Sequence, residues 1–237
     1  MPEDGVRLNK FISESGVASR RAADRMVEDG RVAINGRTAS LGDKIHEGDR
    51  VEVDGKPIRK VRKEVILAFN KPRGVTCTAD PGDPDNVVDF IGYPERIYSV
   101  GRLDKYSQGL LLMTNNGELA YRIMRSRGEH EKEYVVKVDR PVTERFLQGM
   151  ASGVPLDDGV VTKKCQVEKL SEHEFRIVLR QGLNRQIRRM CDHFDYRVER
   201  LKRIRVVNIE LGDLKAGEYR DLTDAEREEL LRRLGMD

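Results

Sequence analysis

Between two apolar runs, Ile97 to Val100 and Leu110 to Met113, lies a polar loop that carries one carboxylate, Asp104, and is hinged by Gly101 and Gly109. Apolar runs of this length suit two short strands, which would tie the loop to sheet at both ends. The glycines allow backbone turns that a β-carbon would crowd. A carboxylate held this way can be aimed, and an anchored loop suits catalysis better than a floppy tail. The same residues would also build a plain hairpin whose Asp bonds only its own turn, a common task for Asp.

Other chemistry is sparse. Cys77, Cys165 and Cys191 are odd in number, far apart and not at metal-ligand spacing, so they are expected to be reduced thiols of a cytosolic protein. His46, His130, His173 and His193 are scattered as well, and neither a metal site nor a cofactor is expected. No apolar run approaches the ~18 residues of a membrane span. The opening residues hold two acids in place of a basic leader, which points to the cytoplasm.

The formal net charge of +3 is small, but its distribution is uneven. From Arg185 to Arg205 there are 8 bases against 3 acids, an excess of 8 − 3 = +5, whereas from Glu210 onward 9 acids face 5 bases. Clustered bases neutralise phosphates and release counterions, so the first stretch fits a nucleic-acid partner. It also fits a solvated helix face.

The elements that would position these groups fall into a small domain, residues 1–62, and a larger one, residues 63–237. Leu8, Phe11 and Ile12 mark one face of a short helix, and Ser19 can cap a second that carries Ala22, Ala23, Met26 and Val27. Strands follow at Arg31 to Ile34 and Arg50 to Val53, turning at Asn35-Gly36 and Asp54-Gly55. Lys56 to Lys63 reads as a linker. Beyond it, strands are expected at Val65 to Phe69, Val75 to Thr78, Glu133 to Val138, Lys164 to Glu168 and Phe175 to Leu179. Helices fit Glu118 to Arg125, Thr143 to Met150 and Arg185 to Phe194, with a last one capped by Thr223 and Glu226. Strands outnumber helices and few βαβ alternations occur, so the expected class is α+β with a mixed, mainly antiparallel sheet flanked by helices.

Several stretches resemble known families. Gly101-Arg102-Leu103-Asp104-x-x-Ser107-x-Gly109-Leu110-Leu111 resembles the catalytic motif of the RNA pseudouridine synthases, in the branch that modifies ribosomal RNA. Asn70-Lys71-Pro72-Arg73-Gly74-Val75, Glu131-Lys132-Glu133-Tyr134 and Gly182-Leu183-Asn184-Arg185-Gln186-Ile187-Arg188-Arg189-Met190-Cys191 are similar to that family's other motifs. Arg7 to Ile12, Gly16 to Ala23, Gly30-Arg31-Val32, Asn35-Gly36 and Gly48-Asp49 are similar to the S4 RNA-binding domain.

The resemblance implies Asp104 as the catalytic carboxylate, Tyr134 as the residue packed on the target base, and Arg188 as the partner of Asp104. Of these, a bidentate Arg–carboxylate pair in a water-excluding pocket is expected. Arg102, Lys71, Arg73, Arg185, Gln186 and Arg189 are candidate substrate contacts, and Lys10, Ser19, Arg20 and Arg21 are candidate RNA contacts of the S4-like part. The implied reaction turns uridine into pseudouridine in large-subunit ribosomal RNA, by a monomeric enzyme. A tRNA anticodon loop is a second implied substrate, against which the acidic final segment counts. Two readings from other classes stand beside it: a non-catalytic RNA-binding protein and a hydrolytic glycosidase. Free uracil among the products would mark the last.

Overall fold

The computed structural model describes residues 5–60, 63–125 and 130–236. By its contacts the chain divides into two compact units. One is Met1–Val65 with 94–96 and 115–117, and the other holds the remainder. The expected boundary at residue 62 falls outside the described residues.

In the smaller unit, β1 (Val6–Arg7) leads into α1 (Leu8–Glu14) and α2 (Arg20–Glu28), followed by β2 (Val32–Ile34), β3 (Arg37–Thr38), β4 (Lys44–Ile45), β5 (Val51–Val53) and β6 (Lys56–Ile58). Leu8, Phe11 and Ile12 of α1 pack with Ala23 and Val27 of α2 and with Val32, Ile45 and Val51 in a small core. Ser19 caps α2 by accepting a hydrogen bond from the Ala22 N–H at 3.2 Å. A sheet in the order β3-β2-β5-β6 turns at Asn35-Gly36 and at Asp54-Gly55, all four in the left-handed region. One expectation needs correction here. Lys56 to Ile58 is not linker but the edge strand of this sheet, where Pro57 is tolerated because no outer neighbour needs its missing N–H.

The larger unit is built on one sheet in the order β11-β12-β10-β13-β9-β7-β15. Its elements are β7 (Ile66–Lys71), α3 (Val87–Ile91), β8 (Tyr98–Ser99), β9 (Gln108–Thr114), α4 (Gly117–Met124), β10 (Lys132–Val138), α5 (Glu144–Ser152), β11 (Gln166–Lys169), β12 (Glu174–Leu179), α6 (Gln186–His193), β13 (Val198–Val206), β14 (Ile209–Glu210), β15 (Tyr219–Asp221) and α7 (Asp224–Leu234). Neighbours are antiparallel except β13 and β9, which run parallel, so the mixed, mainly antiparallel α+β sheet is as expected. Helices α5 and α6 cover one apolar cluster around Phe146, Phe175 and Met190, and α4 and α7 cover another around Leu110, Leu112, Leu119 and Leu230. Thr223 and Glu226 form the capping box that opens α7.

Two further expectations differ from what is observed. Val75 to Thr78 is no strand; Thr76 makes only an isolated bridge to Asn86. More consequential is β13, nine residues long at the centre of the sheet, which sequence patterning did not separate from the basic stretch before it. Its Arg and Lys residues dominate the stretch, and its buried Val198, Leu201 and Val206 are spaced three and five apart, so no period-two alternation marks it as a strand.

Candidate active site

Strands β8 and β9 pair antiparallel, Tyr98 with Thr114 and Ser99 with Met113, and hold the Asp104 loop at both ends. Gly109 marks where the loop rejoins the sheet. Its φ of +105° is one that residues with a β-carbon rarely adopt, and a Cβ there would lie 2.2 Å from the Arg203 carbonyl oxygen on β13. The loop is further fixed through its main chain. The Leu103 N–H donates to Cys77 Sγ at 3.3 Å, the Lys105 carbonyl accepts from the Gly74 N–H at 2.8 Å, and the Ser107 N–H donates to the Asp104 carbonyl at 2.9 Å.

The Asp104 carboxylate bonds to none of these turn groups. Its Oδ2 lies 3.7 Å from Arg188 Nε and 3.9 Å from Arg185 Nη1. The expected bidentate fork is therefore not formed. Arg188 spends Nη1 on the Val198 carbonyl at 3.2 Å and sets Nη2 3.5 Å from Ser107 Oγ, which leaves Nε buried and without a hydrogen-bond partner. Nor is the carboxylate sealed from water, since its side chain is 34% exposed. Burial holds the Arg188 guanidinium below its ordinary pKa, and nearby Arg185 pushes the same way while Asp104 opposes them.

Arg185 itself sits at the N-cap of α6 with φ +47°, ψ +31°, a left-handed conformation that a residue carrying a β-carbon rarely adopts. Such strain costs on the order of 1–3 kcal/mol and persists where surrounding structure demands it. Here it puts an exposed arginine beside the carboxylate rather than along the helix.

Asp104 opens onto a cleft of about 650 Å³, a size usual for a small-ligand site. Tyr134, Arg102 and Arg185 line it as expected from sequence. Among its described lining residues Asp104 is the one acid, against Arg102, Arg125, Lys132, Arg180, Arg185 and Arg203. Lys132 and Arg203 were not anticipated as site residues. The signals were present: Lys132 is two residues from Tyr134 and hence on the same strand face, and Arg203 is Tyr134's cross-strand neighbour. Seeing the second required knowing that β13 is a strand.

Three of the expected substrate contacts are turned to other work. Lys71 is fully buried, and its ammonium donates to the carbonyls of Pro72, Val75 and Lys105 at 2.8, 2.7 and 3.2 Å, so it braces the Asp104 loop from beneath and cannot touch RNA. Burial lowers its pKa to about 8. Gln186 is 4% exposed; its Oε1 accepts from the Leu183 N–H at 3.1 Å, bracing the turn into α6. Arg189 closes onto a hairpin, with Nε 2.6 Å from Asp157 Oδ1 and Nη2 2.7 Å from Asp158 Oδ2. Two carboxylates already neutralise it. Arg73 stays exposed, close enough to Arg188 to act on its charge.

In the smaller unit Arg20 and Arg21 are exposed in the first turn of α2, beside the exposed cap Ser19. Lys10 is half-exposed, 3.7 Å from Glu14. Among the described residues no group of His, Cys, Asp and Glu could hold a metal ion, and no helix is long and apolar enough to cross a membrane.

Residues 65–193 match the RNA pseudouridylate synthase family, and residues 6–51 match the S4 domain family. The chain is 52% identical to the dual-specificity RNA pseudouridine synthase RluF of Escherichia coli K12, over 95% of this chain and 78% of that protein. It is 35% identical to ribosomal large subunit pseudouridine synthase B of Bacillus subtilis, over 93% of each. Among solved structures, a crystal structure of a pseudouridylate synthase superposes with a TM-score of 0.71 at 30% identity, covering 95% of this chain and all of that one.

Proposed function

The chain belongs to the RNA pseudouridine synthase family and is therefore an isomerase; we propose that it acts on a uridine of large-subunit ribosomal RNA, with Asp104 working at C1′ of a nucleotide turned out of its stack. The observation that carries this reading is a carboxylate, 3.7 Å from a half-satisfied arginine, in a cleft where the other charged side chains among the described residues are all basic. A polyanion is drawn into such a cleft, and the one negative group is left facing whatever the cations hold in place.

The reaction breaks the N1–C1′ bond, rotates the uracil, joins C5 to C1′, and moves the C5 proton off while N1 gains one. No atom is gained or lost overall. A carboxylate serves by attacking C1′ or by stabilising positive charge there when the glycosidic bond opens. Arg188 Nε, unbonded in the free protein, donates to Asp104 or to the substrate once water leaves the cleft. Arg185 completes the cationic rim. Tyr134 stacks on the extruded base, a contact worth ~1–3 kcal/mol that offsets part of the cost of extrusion.

Residues 1–62 form the RNA-docking domain and 63–237 the catalytic domain in this reading. Arg20, Arg21 and Lys10 contact backbone phosphates, Ser19 caps the helix that presents them, and the protein works as a monomer in the cytoplasm. The 52% identity to a dual-specificity enzyme supports tRNA as a second substrate. Mapping pseudouridine in ribosomal RNA and tRNA from cells lacking the gene, before and after treatment with the purified protein, tests both. Restoration of a large-subunit site is expected; restoration only in tRNA, or in neither, overturns the ribosomal assignment.

A further inference from the structure

Strands β10 and β13 carry cations on both faces of the sheet, and the two faces treat them differently. On one face Arg205 is matched by Glu133 at 2.8 Å and Glu131 at 3.1 Å, and Arg176 by Glu133 at 3.2 Å. On the other, facing the cleft, Lys132 and Arg203 lie close enough to oppose each other's charge, and among the described residues neither has a carboxylate partner. Arg203 is 3% exposed, and its Nε donates to the Leu110 carbonyl at 2.7 Å. That bond fixes the guanidinium plane while both Nη groups lack a protein partner among the described residues. Lys132 Nζ has only a long contact, 3.4 Å, to the His130 carbonyl.

Two like charges beside each other, one buried and one half-buried, are unfavourable unless an anion joins them. Among the described residues the protein supplies none. A planar guanidinium held by its own Nε, next to a compact ammonium, suits an oxyanion with several acceptor oxygens. Asp104 is not that anion, because it is engaged at Arg188 and Arg185.

We propose that Lys132 and Arg203 form a phosphate-binding subsite of the cleft, which takes a phosphodiester flanking the extruded uridine. The subsite rests on the RNA reading above and adds to it the group by which the nucleotide is registered against Asp104. Tyr134 is two residues along β10 from Lys132 and directly opposite Arg203 on β13, so the phosphate and the base stacked on Tyr134 are set at fixed separation. Burial and the Arg203 charge both lower the Lys132 pKa, and a bound phosphate relieves that strain.

The test uses ribosomal RNA from cells lacking the gene as probe, with the wild type, Lys132→Gln and Lys132→Arg. Lys132→Gln is expected to raise KM about tenfold while kcat changes less than about twofold, and to reduce the slope of log affinity against log salt by about 0.7, the value for one contact to a single strand. Lys132→Arg restores the slope. An unchanged slope and KM in Lys132→Gln overturns the proposal. So that it does not depend on a variant, uridine, uridine 3′-monophosphate and uridine 5′-monophosphate are compared as ligands of the wild type; one monophosphate is expected to bind better than uridine, and equal binding of all three also overturns it. Salt slopes and nucleotide binding are read without turnover, so a wild type that forms no pseudouridine fails the ribosomal assignment without deciding this one.

Discussion

Arg188 and Arg189 are consecutive on α6, yet Arg189 closes onto Asp157 and Asp158 whereas Arg188 keeps its Nε unbonded 3.7 Å from Asp104. The same contrast recurs across the sheet, where Arg205 is held by Glu131 and Glu133 while Arg203 faces the cleft with no carboxylate among the described residues. A fully matched ion pair leaves nothing for a ligand to gain. A cation with bonding capacity left over is attracted to whatever anion arrives, and the protein bears the cost of keeping it bare. Lys71 is a third case, buried with carbonyls only, where the charge is absorbed by dipoles and serves as a rivet.

The contrast can be broken most severely at the carboxylate itself. Asp104→Asn is expected to lower turnover by at least about 10³-fold, since nucleophilic or charge-stabilising power is lost while shape is kept. Tritium release from C5-labelled uridine in RNA reads this, and RNA affinity and melting temperature stay near wild type. On the matched side, Arg205→Ala leaves the buried Glu133 with Arg176 alone, at 3.2 Å, and should cost about 2 kcal/mol in urea denaturation, with turnover per folded molecule retained. A loss of turnover without a loss of stability would move Arg205 into the site.

Arg188→Lys keeps the charge but cannot hold the Val198 carbonyl, Ser107 and Asp104 together; a loss of about 10- to 100-fold in kcat is expected, equivalent to one charge-assisted hydrogen bond. For the rivet, the sign follows from its pKa of about 8 against an ordinary 10.5. Between those values the unfolded chain holds a proton that the folded one lacks, so stability at this position rises with pH. The wild type should gain on Lys71→Met in denaturation midpoints from pH 8 to pH 10.5, and parallel curves would show that the ammonium is not buried in solution. The smallest effect belongs to Arg189→Ala. Its partners are exposed, so the change should cost at most about 1 kcal/mol and leave kcat and KM unaltered.

The Asp104 loop was legible because glycine hinges and apolar flanks are local signals, and the Ser19 cap, the Thr223–Glu226 capping box and the turns were legible for the same reason. What distinguishes Arg188 from Arg189 was not, because the deciding carboxylates are 31 or 32 residues back in the chain for Arg189, at Asp157 and Asp158, and 84 back for Arg188, at Asp104. Lys71 looked like a surface cation because no residue type announces three carbonyls converging on one point. Strand β13 was hidden by its own charges. With it went Arg203, whose burial depends on a parallel neighbour that only the sheet order reveals.

The loop around Asp104 is fastened by peptide groups, by Cys77 and by the Lys105–Asp85 ion pair at 2.8 Å, so Tyr106, 63% exposed, bears none of the alignment. Mutation can rewrite that position, and with it the surface it presents, while the carboxylate stays where it is. Target choice can thus drift between lineages without the chemistry having to be reinvented.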